Sequence, residues 1–342
     1  MERLYSKILG ALVGVATGDA MGMPTEMWTR QSIKDYFGKV EGFLPGPATN
    51  VISRGFAAGE VTDDTLVTIM MIEMLMESGG KVDPQSLVQK LNSWAKGDEK
   101  SRSVVGPSTK RALQDLAAGA SLEETGKTGV TNGAAMRIAP LGIVYDYQDQ
   151  EEFLKAIVLA CLPTHNTSIA ISGALAIAAA ISYGIAGGED LGELVEVAKN
   201  AAELGTGEGN ILAGPSVASR IDLGLRLIKE SNDEEGALDH LYNVLGTGLA
   251  MTESVPAALS LVQLAQGEPL QAALYAANLG GDTDTIGAMA CAICGAMRGI
   301  EAFPQKLVET VTKVNEIPFS KLARGLFDLR IARSTSKRGA GH

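Results

Sequence analysis

The sequence predicts an all-α protein, a compact orthogonal bundle of many helices. Three observations carry that expectation. Apolar residues recur at three-to-four spacing along most of the 342 residues, alternating strand patterns are nearly absent, and aromatic residues make up only 5% while Ala and Gly abound. Helices faced with such small side chains can approach one another closely.

The first periodic segment covers 4–20. Its early positive charge and apolar run superficially resemble a signal peptide, but Gly18-Asp19 interrupts the run and no small-x-small cleavage context follows. From Thr25 to Glu60 the chain is irregular and rich in Gly and Pro, and long loops in compact domains are often functional. Helices are expected next over 62–78, 84–96 and 108–119. In "KVDPQSLVQKL" Asp83 can cap and Pro84 takes the first turn.

A second irregular stretch, Gly126 to Pro140, precedes helices expected over 151–162 and 167–186. The latter holds "IAISGALAIAAAISYGIAG", uncharged and nearly long enough to cross a bilayer. Its Ala, Ser and Gly content, without close Lys or Arg flanks, reads as a helix buried at the centre of a soluble bundle. Helical periodicity continues over 190–204, 216–231, 234–246, 254–266, 268–279, 284–298 and 303–315. No fixed period marks a solenoid. The expected organisation is a single domain over 1–332, with "RSTSKRGAGH", 333–342, as a disordered tail.

Hydrophobic residues at 46% suffice for a sizeable core. With 40 acidic against 29 basic side chains the net charge is -11, which argues against nucleic acid as a partner and for a cationic cofactor. Three cysteines, Cys161, Cys291 and Cys294, do not make a disulfide framework, so a cytoplasmic protein is expected, with no membrane partner. Cys291 and Cys294 have CxxC spacing inside an Ala/Met-rich helical run, where a buried structural role is expected over redox or zinc chemistry.

Two acidic clusters carry the chemistry. "VTDDT" places Asp63 and Asp64 between threonines at a helix entrance, and "NLGGDTDTIGAM" repeats the arrangement with Asp282 and Asp284 after the turn that Gly280-Gly281 allows. Asp and Thr at helix starts are ordinary caps. One cap, however, needs one acid, and each cluster carries two. Four carboxylates with threonine hydroxyls beside them would form a hard oxygen site for Mg²⁺ or Mn²⁺. About four negative charges match two divalent cations, as in two-metal hydrolytic sites. Capping and metal binding both stand as readings of these residues.

The segments "GALVGVATGDAMGMPTE", "VTDDT", "TNGAAMRIAPLG", "PTHNTSIAISGALA", "ESVPAAL" and "NLGGDTDTIGAMACAICGA" occur in the order seen in the ADP-ribosylglycohydrolase family, which the chain resembles over roughly residues 4 to 300. The resemblance implies an all-helical domain with a central binuclear metal site that cleaves a glycosidic bond at the anomeric carbon of an ADP-ribose-like ribose. It implies Thr62, Asp63, Asp64, Asp282, Asp284 and Thr285 as metal ligands, with Asp63 and Asp284 serving catalysis. Glu26 falls where the family has a glutamate near the substrate on a movable loop, and Asn132, Gly133, Met136 and His165 fall where it lines its ligand cleft. Val61 and Ala134 depart from the family pattern, where tryptophan and serine are usual.

Cleavage at ribose passes through an oxocarbenium-like transition state. Glu26 is the candidate for handling a proton or orienting the ribose, and His165 for contacting a phosphate or the distal ribose. Tyr183, Tyr275 or Phe56 could stack on a base, with core packing the default for the two tyrosines. Expected substrates are ADP-ribosylated protein side chains or small ADP-ribose conjugates; a smaller N-riboside and a non-catalytic structural role are the alternatives.

Overall fold

Seven of the described helices begin on an ordinary side-chain cap. The computed structural model describes residues 1–97, 100 and 104–340, with side chains to residue 335. In chain order the helices are α1 Glu2–Gly22, α2 Arg30–Phe37, α3 Asp63–Glu77, α4 Pro84–Ala95, α5 Pro107–Ala117, α6 Leu122–Thr125, α7 Gly133–Met136, α8 Ala139–Val144 and α9 Gln150–His165. There follow α10 Ser168–Ala186, α11 Leu191–Leu204, α12 Val217–Lys229, α13 Glu234–His240, α14 Met251–Leu264, α15 Pro269–Leu279, α16 Thr283–Arg298, α17 Gln305–Asn315 and α18 Phe319–Ala340. Side chains of Thr29, Asp83, Asp149, Thr167, Asp190, Ser216 and Asp233 accept hydrogen bonds from the first turns of the helices they precede. The all-α expectation holds: the described residues contain isolated β-bridges and no sheet.

The centre of the fold is the antiparallel pair α1 and α16. Glycines recur every fourth residue on α1, at Gly10, Gly14, Gly18 and Gly22, so they form one stripe. A Cβ added at Gly18 would lie 2.0 Å from the Gly287 carbonyl oxygen, and one at Gly14 2.2 Å from that of Cys291. The two backbones therefore touch without intervening side chains. Each mid-helix glycine costs roughly 0.5–1 kcal/mol in conformational entropy, which the close packing must offset.

Helix α10 lies against the same pair, with Gly184 at the Ala296–Met297 backbone. The buried Lys7 ammonium donates to the Gly184 carbonyl at 2.8 Å, satisfying an acceptor near the end of α10. Among the described residues two helices, α1 and α10, are long and apolar enough to span a membrane, and both are largely buried in the bundle. Cys161, Cys291 and Cys294 are free and buried, with their thiols pushed up by burial, so the CxxC pair packs as core.

Three segments differ from expectation. The irregular stretch after Thr25 contains α2, and that after Gly126 contains α7 and α8. The expected boundary at 332 falls inside α18, whose helix runs through Ala340; residues 341–342 lie outside the described residues. Arg333 anchors this helix by bonding Glu152 and the Gly80 carbonyl and by covering the Tyr145 ring at 3.9 Å.

Candidate metal centre

Helix α3 is capped from outside its own segment. Thr62 occupies its N-cap but makes no side-chain cap bond. Asp19, reaching across from α1, takes that role. It accepts the Thr62 N–H at 3.0 Å and the Thr65 N–H at 3.1 Å, and the two threonine hydroxyls at 2.9 and 2.5 Å. At α16, Asp282 sits at the N-cap and likewise makes no cap bond; it accepts from the Asn132 amide instead. The capping reading of the two clusters therefore fails at both helices, and their carboxylates are left for other work.

The second cluster is placed by backbone strain only glycine tolerates. Gly280 and Gly281 have φ of +85° and +83°, and a Cβ at Gly281 would meet the Thr247 carbonyl oxygen at 2.2 Å. The next N–H, that of Asp282, donates to the same carbonyl at 2.7 Å. Glu26 is brought to this turn by paired backbone bonds: Met27 N–H to the Gly281 carbonyl at 2.7 Å, and Gly281 N–H to the Trp28 carbonyl at 2.9 Å. The Asn50 amide also donates to the Glu26 carbonyl at 3.0 Å. The segment expected as a movable loop is thus tied at both the turn and Asn50.

Residues 222 positions apart in the chain meet here. Carboxylate oxygens of Asp19, Asp64 and Asp284 all lie within 4.8 Å of one another, and so do those of Glu26, Asp282 and Asp284. Asp284 belongs to both groups. The Thr62 hydroxyl stands 3.3 Å from Asp64 Oδ2 and 3.4 Å from Asp284 Oδ2, and the Thr285 hydroxyl 3.3 Å from Asp64 Oδ2. Asp63 stands outside both groups and is less buried than Asp64, yet close enough that Asp19 and Asp282 act on its charge.

Burial, reinforced by neighbouring acids, pushes Glu26, Asp63, Asp64 and Asp284 well above the usual carboxylate range. Asp282 is raised by burial, against the pull of its Asn132 bond. Asp19 is pushed up to about 6 by burial, held there by the opposing bonds from Thr65 and Thr62. Asp64 Oδ1, Asp284 Oδ1 and Glu26 Oε2 are buried with no hydrogen-bond partner. Buried carboxylates without partners are costly unless a cation joins them. Hard oxygen donors in this number suit a hard divalent cation, so the residues present fit a metal site.

Of the residues expected to line a ligand cleft, Asn132 touches the acidic centre. Its segment is held by the Thr131–Ala250 bridge, and the Met136 carbonyl lies 3.4 Å from the Thr68 hydroxyl of α3. Gly133 and Met136 are buried. His165, expected to contact a phosphate or distal ribose, is fully buried, with Nδ1 2.7 Å from the Thr164 hydroxyl and Nε2 3.0 Å from the Thr131 hydroxyl. Burial, with the Arg137 charge nearby, lowers it well below the usual histidine range, so the ring is neutral. It buttresses the 131–133 segment, where a Gly133 Cβ would strike its Cε1 at 2.8 Å.

The aromatic candidates are also internal. Tyr183, Tyr275 and Phe56 are each at most 5% exposed, and Tyr183 donates to Glu193 at 2.8 Å. Two features escaped the sequence reading. Asp19 is the one charged residue in α1 after Lys7, a buried charge in an apolar run that demands a partner. Trp28, tied through its backbone to Gly281, packs edge-on against the exposed Tyr36 at 5.2 Å; an aromatic two residues from Glu26 was its signal.

This all-helical fold and its buried acidic centre define a class that comparison identifies: the chain belongs to the ADP-ribosylglycohydrolase family, whose model matches residues 1–336. The expected kinship with a family of hydrolases is therefore correct. An uncharacterized protein of Escherichia coli K12, YegU, is 40% identical over 96% of this chain and 98% of its own. ADP-ribosylhydrolase ARH3 of Mus musculus is 28% identical (89% and 86% coverage), and ADP-ribosylarginine hydrolase Tri1 of Pseudomonas putida GB-1 is 26% identical (96% and 79%). A solved structure titled ADP-ribosylglycohydrolase-related protein complex matches with a TM-score of 0.71 at 23% identity, covering 96% of this chain and all of that one, a likeness of fold.

Proposed function

We propose that this protein hydrolyses the glycosidic bond at the anomeric ribose carbon of ADP-ribose conjugates, on protein side chains or small molecules. The observation that carries the reading is the pair of overlapping acid groups sharing Asp284, with three buried carboxylate oxygens left unpartnered. Asp63, Asp64, Asp282, Asp284, Thr62 and Thr285 would hold two divalent cations, Mg²⁺ or Mn²⁺. Bound there, such ions supply a lowered water pKa and a template for the ribose hydroxyls.

The chain's own residues do the rest. Asn132 fixes Asp282, and the Gly280–Gly281 turn fixes Asp282 and Glu26 together. Glu26 Oε2, buried and unpartnered beside Asp282 and Asp284, is the atom assigned to carrying the proton. Water adds to the anomeric carbon, the bond to the leaving nitrogen or oxygen breaks, and the leaving group departs protonated. Free, buried cysteines support a reducing, cytoplasmic setting, and the net charge of -11 supports a partner other than nucleic acid.

The test is release of ADP-ribose from ADP-ribosyl-arginine and ADP-ribosyl-serine with Mg²⁺ or Mn²⁺ present. Turnover of at least one is expected; none with either ion defeats the reading. The burial of His165, Tyr183 and Tyr275 favours a second reading, a smaller N-riboside cleaved by the same centre. Turnover of simple ribosides with no calorimetric binding of ADP-ribose would select it.

A further inference from the structure

Proximity alone makes Asp19 look like a metal ligand, since its carboxylate joins Asp64 and Asp284 within 4.8 Å. Its bonding says otherwise. We infer that Asp19 is a positioning residue that sets the spacing between the two ligand-bearing helix starts without itself holding metal; this rests on the metal-centre reading above.

Consider first the capacity of its two oxygens. A carboxylate has about four lone-pair sites. Asp19 Oδ1 receives the Thr62 N–H and hydroxyl, and Oδ2 receives the Thr65 N–H and hydroxyl and shares the Thr62 N–H. Four donors fill it. Asp64 Oδ1 and Asp284 Oδ1, by contrast, are buried with no partner. Within one cluster, then, one acid is saturated on both oxygens by protein donors while each of its neighbours keeps one bare oxygen.

Next consider what holds α3 in register with α16. Asp19 immediately follows Gly18, the residue whose missing Cβ lets α1 lie on the Gly287 backbone of α16. Four residues on, Gly22 repeats the contact at Thr283 and Asp284. The backbone on either side of Asp19 is thus fixed against the helix that carries Asp282 and Asp284. Its carboxylate then grips the first turn of α3, which carries Asp63 and Asp64. Asp19 is the strut between the two clusters.

The bonds also aim a ligand. A hydroxyl has one proton to give. For Thr62 the nearest of its carboxylate acceptors is Asp19, at 2.9 Å, against 3.3 Å to Asp64 and 3.4 Å to Asp284. Donating to Asp19 leaves the lone pairs of the Thr62 hydroxyl facing Asp64 and Asp284, where a cation would need them. Thr65, by contrast, bonds Asp19 with both its N–H and its hydroxyl and stands behind the centre.

The experiment is calorimetric titration of Mn²⁺ into wild type, Asp19→Asn, Thr65→Val, Thr65→Ser and Asp64→Asn, reading both affinity and ions bound per chain. Partners that orient metal ligands typically affect affinity about 10–100-fold. Asp19→Asn and Thr65→Val are expected to weaken binding in that range while keeping the wild-type number of ions. Thr65→Ser, which keeps the hydroxyl, restores affinity, and Asp64→Asn lowers the number. Loss of an ion in Asp19→Asn would make Asp19 a ligand and overturn the inference, as would wild-type affinity in Asp19→Asn or Thr65→Val. If Asp19→Asn does not fold, the Thr65 pair decides alone. Wild-type protein that takes up no Mn²⁺ would overturn the metal centre itself, a result distinct from any difference among variants.

Discussion

Stripping divalent metal from the protein at different pH values gives the sharpest test of the acidic centre. In the metal-free chain Asp19 stands at about 6 against an ordinary 3.8, because burial disfavours its charge. The folded state therefore holds this proton more tightly than the unfolded one. That contribution to stability is fully present below pH 3.8 and is lost as pH rises through about 6. A shift of roughly two units corresponds to about 3 kcal/mol, and Glu26, Asp63, Asp64 and Asp284 add loss of the same sign. A cation that binds the folded state reverses this, and its benefit should grow as the protons leave.

Thermal melts in chelator and in excess Mg²⁺ or Mn²⁺, from pH 5 to 8, read the effect. The difference between the two melts at each pH cancels groups remote from the centre. About half of the 3 kcal/mol is lost above pH 5, which for a chain of this size is on the order of 2 °C. The metal-dependent gain in Tm should rise by at least that amount between pH 5 and pH 8. A gain that is equal at both ends, or that shrinks as pH rises, would refute the argument that these carboxylates are held together against their own charge.

Other consequences are more local. Gly18→Ala places a Cβ 2.0 Å from the Gly287 carbonyl and should cost about 1–3 kcal/mol or more in urea denaturation, whereas Gly42→Ala, in open space, should stay within about 0.5 kcal/mol; equal values would contradict the backbone-on-backbone contact. Asp284→Asn should abolish turnover while raising the melting temperature of the metal-free protein at pH 8, since it removes a buried charge with an unpartnered oxygen; lower stability there would argue that the carboxylate is already compensated. The His165 ring should show no NMR titration between pH 5.5 and 8, because burial keeps it neutral; a midpoint near 6.5 would mean it is reachable by solvent.

Periodicity made the bundle legible, because the spacing of apolar residues on a helix is a local property. Helices expected at 84–96, 190–204 and 268–279 appear as Pro84–Ala95, Leu191–Leu204 and Pro269–Leu279. α2 was hidden because it is short and lies in a Gly/Pro-rich stretch, and α18 because its second half is charged. The acidic clusters were legible for a different reason: two acids stood where a cap needs one. Their role could not be settled from local sequence, since the residue that actually caps α3 is Asp19, 43 positions away. The surroundings of His165 were hidden on the same ground. Its partners Thr131 and Thr164 consume both ring nitrogens, and one of them lies 34 positions off.

The glycines of α1 join these threads. Read alone, four glycines in one helix are a weakness. Against α16 they become the means by which two backbones meet, with Gly18 on Gly287 and Gly22 on Thr283 and Asp284. That contact places the start of α16, and with it Asp282 and Asp284, alongside the last turns of α1. Asp19, one residue past Gly18, is then within reach of α3, and its four donors fix Thr62 and the carboxylates that follow it. The acids meet because small residues let the helices come close enough, so a methyl group at Gly18 should damage metal binding as surely as the loss of a ligand, though no atom of Gly18 touches the centre.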